Sequence, residues 1–312
     1  MSSIMSSVTL RYAHKGIWGD ITSSVDWCEE NYEWTPYIAE FFNSFSSFAM
    51  IILGEIAAQM NCTGYVGFTV MSRIVTLVGI GSFMFHATLK YHMQMLDEVP
   101  MLWAILSAFY IQTKIRYNIQ SRWFLIATVG WGCFITFLTA GFSGKTQFFL
   151  FHASFGTLVH ICFYYMYQAY KGLKLRGRDD LTPLFHRGVV LYIIAVICWL
   201  IDTNLCPFVN GTENSILPIN PQLHAWWHIV VSAGLYYLIV LFMGDYCTSH
   251  NIPIRLTTTL SIFPYISVCK VLDGGIWSPA DRDAAHGLDS STAGSGTGVA
   301  VAGDHLRERK HY

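Results

Sequence analysis

Seven apolar windows, each near the length a helix needs to cross a bilayer, constrain this chain more than any other feature. They fall at roughly 37–57, 66–88, 99–115, 123–140, 148–170, 188–205 and 223–243. Inside hydrocarbon every backbone polar group must find its partner within the segment, so runs of this kind fold as helices. Composition agrees, with 53% hydrophobic residues, 12% charged residues and a mean hydropathy of +0.39, too apolar for a soluble globular chain. The expected fold is an all-α membrane protein, a seven-transmembrane helix bundle. A net charge of −1 leaves no basic surplus to attract nucleic acid. Eight cysteines with no CxxC pair make neither a dense disulfide scaffold nor a zinc knuckle. Cys133, Cys162 and Cys198 sit in apolar runs and read as small buried side chains.

Lysine and arginine set the orientation. Lys114, Arg116 and Arg122 lie between windows three and four, and Lys171, Lys174, Arg176, Arg178 and Arg187 between five and six, which assigns both connections to the cytosol. The alternate connections carry only Lys90, only Lys145, and no basic residue at all. Seven spans then place the N-terminus in the lumen and the C-terminus in the cytosol. Four regions follow: a lumenal segment 1–36, a helical domain 37–245, an interfacial segment 246–272 and a cytosolic tail 273–312. The first 36 residues hold no continuous apolar run, so no cleavable signal peptide is expected. Pro253, Pro264 and a threonine run argue against an eighth span. The tail, rich in Ala, Gly, Ser and Thr, lacks the apolar content to fold alone.

This topology gathers polar residues at one depth. His224 and His228, at i and i+4 in Gln222-Leu-His-Ala-Trp-Trp-His228, share a helix face at the outer start of window seven. Ser82 and His86 lie a turn apart at the outer end of window two, and Asp97 precedes window three. Ionisable groups within a membrane are costly and tend to mark function. Three histidines with a fourth position open make the arrangement of a hydrolytic zinc site. Asp97 is the candidate general base, and Ser82 can donate a hydrogen bond to a developing oxyanion or orient a ligand. Asp202 and His152, also near outer helix ends, are candidate ligands or ligand partners. Mid-span His160 reads as a hydrogen-bonded bundle contact.

Ahead of window one, Asp26, Glu29, Glu30, Asn31, Glu33 and Glu40 crowd oxygens into a short stretch. A surface acidic face and a site for a hard cation both fit; an EF-hand does not, because its Asp-x-Asp-x-Asp-Gly core is missing. Cys28 in this stretch and Cys206 in an outer connection both face an oxidising compartment, where a disulfide can persist.

In order along the chain stand Gly16-Ile-Trp-Gly19, Asp26-Trp-Cys-Glu-Glu-Asn-Tyr32, Tyr37-Ile-Ala-Glu-Phe41, Gly81-Ser-Phe-Met-Phe-His86, Leu89-Lys-Tyr91, Leu96-Asp-Glu98 and His224-Ala-Trp-Trp-His228. Together, over about residues 16–245, they resemble the alkaline ceramidase family, within a wider superfamily of seven-span hydrolases that includes adiponectin-receptor-like proteins. The resemblance implies Zn2+ held by His86, His224 and His228, with Ser82 and Asp97 completing the catalytic set. It also implies Ca2+ bound by Asp26, the Trp27 carbonyl, Glu29, Asn31 and Glu40. The implied substrate is a ceramide lipid, cleaved within the membrane bilayer to a sphingoid base and a fatty acid, and the implied location is the endoplasmic reticulum or Golgi membrane. Rival readings are an esterase-type lipid remodelling hydrolase of the same superfamily, a seven-helix receptor with a structural zinc, and a transporter.

Overall fold

A computed structural model describes residues 16–213, 215–259, 263–271 and 277–279. Each apolar window becomes a helix. The first is a nearly continuous pair, α1 (Phe41–Ser46) and α2 (Phe48–Gln59). There follow α3 (Val66–Thr88), α4 (Tyr91–Arg116), α5 (Arg122–Ala140), α6 (Gly144–Leu175), α7 (Thr182–Val209) and α8 (Leu223–Ser249). Local chemistry sets several ends. Ser121 caps α5 by accepting the Trp123 N–H at 3.2 Å, and Pro183 stands in the first turn of α7, where a missing N–H costs nothing.

Among the described residues, six stretches are long and apolar enough to cross a membrane: Phe41–Gln59, α3, α5, α6, α7 and α8. The chain is therefore a mostly helical, multi-pass membrane protein. The remaining helix, α4, is long, but His92, Gln94, Asp97 and Glu98 fill its first turns and Lys114 and Arg116 its last. Its middle is apolar and buried at Leu102, Leu106 and Ile111.

Packing radiates from α8, the most buried of these helices, which lies along α7 and also meets α1, α2 and α6. The main core joins Tyr236–Met243 of α8 to Phe68 and Met71 of α3, Met166, Ala169 and Leu173 of α6 and Leu184 of α7. A smaller cluster unites Leu102 and Leu106 of α4 with Ile135 of α5 and Phe151 and Leu158 of α6. Helices α3 and α4 meet at Gly81, where an added Cβ would stand 2.0 Å from the Leu96 carbonyl oxygen and 2.8 Å from the Asp97 nitrogen. Only a residue with no side chain admits that approach.

The segment 16–40 folds back over the histidine end of the bundle. Ala39 and Glu40 donate their backbone N–H groups to Ala87 and His86 at the end of α3 (3.0 and 2.9 Å), and Thr22 and Ser23 both donate to Leu89. Tyr32 and Ala39 bury against Phe85 and Leu89.

At the other end lies structure that the hydropathy pattern does not show. Among its described residues, segment 246–272 holds the last turn of α8 and an antiparallel pair of strands, β1 (Ile254–Thr259) and β2 (Phe263–Val271), and β3 (Trp277–Pro279) adds to β2. The Tyr236 hydroxyl donates to the Pro264 carbonyl at 2.8 Å, and Ile266 closes on the main core. Apart from Trp277–Pro279, the tail 273–312, expected to be disordered, lies outside the described residues.

Candidate metal centre

Two helix ends build the centre. Ser82 and His86 share a face of the last turns of α3, while His224 and His228 begin α8, whose N-terminus is fixed by Asn220 accepting the Gln222 N–H at 2.9 Å. The imidazoles form a nearly equilateral triangle, with ring centroids 5.0, 5.0 and 4.6 Å apart. One nitrogen from each lies within 4.8 Å of the others, and all three side chains are buried. Three nitrogen donors converging on one point could hold a metal ion.

The hydrogen bonds leave lone pairs aimed inward. His86 Nδ1 is bonded to the Glu40 carboxylate, so its N–H donates there and the buried Nε2, with no partner in the protein, is left for a ligand role. In His228, Nδ1 lies 3.1 Å from the Asn43 carbonyl and 2.8 Å from Ser46 Oγ, which leaves Nε2 facing Ser82 Oγ at 3.4 Å. His224 stacks on Trp27 with centroids 3.7 Å apart, and its buried Nδ1 is also unpartnered. Fixing one imidazole nitrogen by hydrogen bonding orients the other toward a metal. Ser82 itself is buried, with Ser47 Oγ 2.9 Å from its hydroxyl. The donor set fits zinc.

Asp97 is buried in α4, its backbone beside Gly81, the residue before Ser82. Asp202 is buried and accepts the Cys28 N–H at 3.1 Å. His152 bonds within its own helix to the Phe148 carbonyl at 2.7 Å and stacks on Trp199, and exposed His160 bonds to Gly156 in the same manner.

Beside this centre sits the oxygen-rich cluster. Asn31 Nδ2 donates to Asp26 at 3.0 Å, while its buried Oδ1 has no partner. The Glu29 carboxylate accepts the N–H groups of Phe42 and Asn43 at 2.7 and 2.8 Å, which caps α1. Burial, then the nearby Glu40 carboxylate, raises the Glu29 pKa to about 8. Glu40 accepts the Trp27 N–H at 3.1 Å and the Asn43 side-chain amide at 3.1 Å. Carboxylates packed this closely repel one another until a proton or a cation intervenes, and the unpartnered Asn31 oxygen adds a neutral donor, so the set fits a hard cation such as calcium. A disulfide joins Cys28 to Cys206, Cα atoms 5.4 Å apart, and pins the segment to α7.

Several contributors were not singled out in the sequence: Asn43, Ser46 and Ser47 as partners of His228 and Ser82, and the Trp27 indole as the floor under His224. The available signal was polar spacing in the first window, where Asn43, Ser46 and Ser47 recur at helical intervals within an apolar run.

A bundle of apolar helices closing three buried histidines around one point defines a membrane-embedded protein with a candidate metal centre. The family model described as Ceramidase matches residues 19–266. The chain is 31% identical to alkaline ceramidase 3 of Mus musculus over 243 residues, covering 73% of this chain and 85% of that one. Against the alkaline ceramidase of Drosophila melanogaster it is 31% identical over 237 residues (73% and 79% covered), and against that of Arabidopsis thaliana 26% over 258 (81% and 95%). This chain belongs to the ceramidase family.

Proposed function

We propose that this protein is a zinc-dependent ceramidase, hydrolysing the ceramide amide to a sphingoid base and a fatty acid. The carrying observation is the buried triangle of His86, His224 and His228 with Ser82 at its edge. Zinc held by His86, His224 and His228 would supply Lewis acidity toward the amide carbonyl and lower the pKa of a nearby water. Glu40 and the Asn43 carbonyl hold His86 and His228 in the tautomer that presents Nε2. Ser82 donates to the oxyanion as the carbonyl carbon becomes tetrahedral. Asp97 takes the proton from the attacking water and passes it to the departing amine as the C–N bond breaks. Between α4, α5 and α6 a cavity of about 580 Å³ is walled by Leu106, Phe109, Phe124, Trp131 and Leu158; it begins about 14 Å along α4 from Asp97 and offers apolar surface to a lipid chain.

We assign α4 as a seventh span, since it packs between α3, α5 and α6 and its apolar middle is buried. The basic residues at the ends of α4 and α6 face the cytosol under that assignment and the histidine end faces the lumen, in endoplasmic reticulum or Golgi membranes. Calcium occupies the Asp26, Trp27, Glu29, Asn31 and Glu40 cluster in a structural capacity.

Metal analysis of the purified protein, run alongside sphingoid-base release from a ceramide panel, tests the reading. His224→Ala should lose zinc and activity together. Asp97→Asn should keep zinc while turnover falls by about 10²–10⁴-fold. Undiminished hydrolysis in zinc-free His224→Ala would overturn the assignment.

A further inference from the structure

At the end of the bundle away from the histidines, α4, α6 and α8 finish around a polar cavity of about 320 Å³. Its lining includes Gln112, Arg116, Gln168, Gly172, Arg176 and Asp245. Two guanidinium groups face one carboxylate: Arg176 Nη1 donates to Asp245 Oδ1 at 3.2 Å, and Asp245 is buried while Arg176 is half-exposed. Arg116 lies with its guanidinium carbon 5.9 Å from the centre of the Tyr165 ring, and its Nε is buried with no hydrogen-bond partner. A buried, unpaired donor on a charged group is costly unless something else satisfies it.

The ordinary task of an arginine at the end of a helix is to cap the last carbonyls. Here those carbonyls are already taken. Thr113, Lys114 and Ile115 of α4 accept the N–H groups of Tyr117, Ile119 and Asn118; Gly172, Leu173 and Lys174 of α6 accept those of Arg176, Arg178 and Gly177; Tyr246, Cys247 and Thr248 of α8 accept those of His250, Ile252 and Asn251. The two arginines are thereby left for something other than the backbone.

We propose that this cavity is a phosphate-binding site, with Arg116 and Arg176 gripping the anion and Gln112 and Gln168 adding neutral donors. Guanidinium groups match phosphate oxygens in pairs. On the proposed topology, on which this inference rests, the cavity lies at the cytosolic ends of these helices, where basic pockets between helices take phosphorylated lipids. A lipid phosphate and a free phosphate share this chemistry. Occupation would clamp α4, α6 and α8, two of which carry Asp97, His224 and His228 at their far ends.

The test uses the full chain in nanodiscs of phosphatidylcholine alone, of phosphatidylcholine with a minor fraction of phosphatidic acid, and of phosphatidylcholine alone with added inorganic phosphate. Thermal melting and retained lipid by native mass spectrometry are the readouts. Phosphatidic acid should raise the melting temperature of the wild type if the source is a lipid, and inorganic phosphate should do so if the source is soluble. Arg116→Gln should weaken whichever probe is active by about tenfold, the loss of one charge-assisted hydrogen bond. Asp245→Asn should move the opposite way, retaining more of the probe, because it removes the like charge; a purely structural ion pair predicts only destabilisation. No stabilisation by either probe would overturn the proposal, as would equal binding by wild type and Arg116→Gln. If Arg116→Gln fails to fold, weaker or unchanged retention by Asp245→Asn overturns it alone.

Discussion

Glu40 is the residue through which the two candidate ion sites touch. Its Oε1 accepts the Trp27 N–H from the acidic segment, and its Oε2 meets His86 Nδ1 and the Asn43 amide. An acidic partner on the far nitrogen of a metal-binding imidazole fixes the tautomer and raises its basicity. Replacing that carboxylate by an amide keeps the size and loses the charge. Glu40→Gln should therefore weaken zinc retention by roughly 10–100-fold, measured by competition with a graded chelator. Zinc affinity equal to the wild type would show that the contact has no influence on the metal. From the sequence, Glu40 could be read only as an oxygen at the head of window one. Its pairing with a histidine 46 positions away depends on segment 16–40 folding back over the end of α3, which no local pattern reports. The histidines were more legible because i, i+4 spacing and common depth are properties of helices alone.

Helix packing sets how closely Asp97 approaches the turn that bears Ser82. The approach of α3 to α4 at Gly81 brings Asp97 alongside the turn that bears Ser82. A methyl group there has no room beside the Leu96 carbonyl, and it is rigid backbone that would have to yield. Gly81→Ala should cost about 1–3 kcal/mol or more by overpacking and depress turnover more than zinc content. A melting curve and turnover both indistinguishable from wild type would mean that the two helices can separate without cost. Windows of hydropathy located the helices to within a few residues at most ends, yet α4 starts at Tyr91, well before its apolar run, because buried Gln94, Asp97 and Glu98 lower the average. Gln94 and Glu98 are tolerated inside because they bond to one another and to Gln147: Gln94 Nε2 donates to Glu98 at 2.8 Å and to Gln147 Oε1 at 3.1 Å, and Gln147 donates to Glu98 as well. The β1–β2 pair left a fainter trace, Ile254 to Thr259 being rich in β-branched residues. Hydropathy is blind to that preference; Pro264, which argued against an eighth span, lies in β2 and accepts the Tyr236 hydroxyl on its carbonyl.

Across the whole molecule, segment 16–40 acts as a cap whose attachments converge on the candidate metal-binding histidines. The disulfide ties Cys28 to α7, Asp202 and Asn220 hold the backbone of that cysteine, Glu29 caps α1, Trp27 stacks on His224 and Glu40 bonds to His86. A cation among Asp26, Glu29, Asn31 and Glu40 would neutralise the charges that otherwise push this cap apart, and binding to the folded form alone stabilises it by mass action. Calcium chelation should accordingly lower the melting temperature and the rate of ceramide hydrolysis while zinc content stays constant, and Asp26→Ala should reproduce the effect without chelator. The disulfide predicts more. Closing a separation of 178 residues is worth about 5 kcal/mol in chain entropy, less where the bilayer already restrains the unfolded chain. With Cys28→Ser and Cys206→Ser combined, the cap loses its covalent anchor, so the cluster must be assembled at the moment calcium binds. The double variant should melt lower, require more calcium for half-maximal activity, and regain most of the wild-type rate when calcium is saturating. Equal calcium requirements in the wild type and the double variant would show that the cap is held by its noncovalent contacts alone.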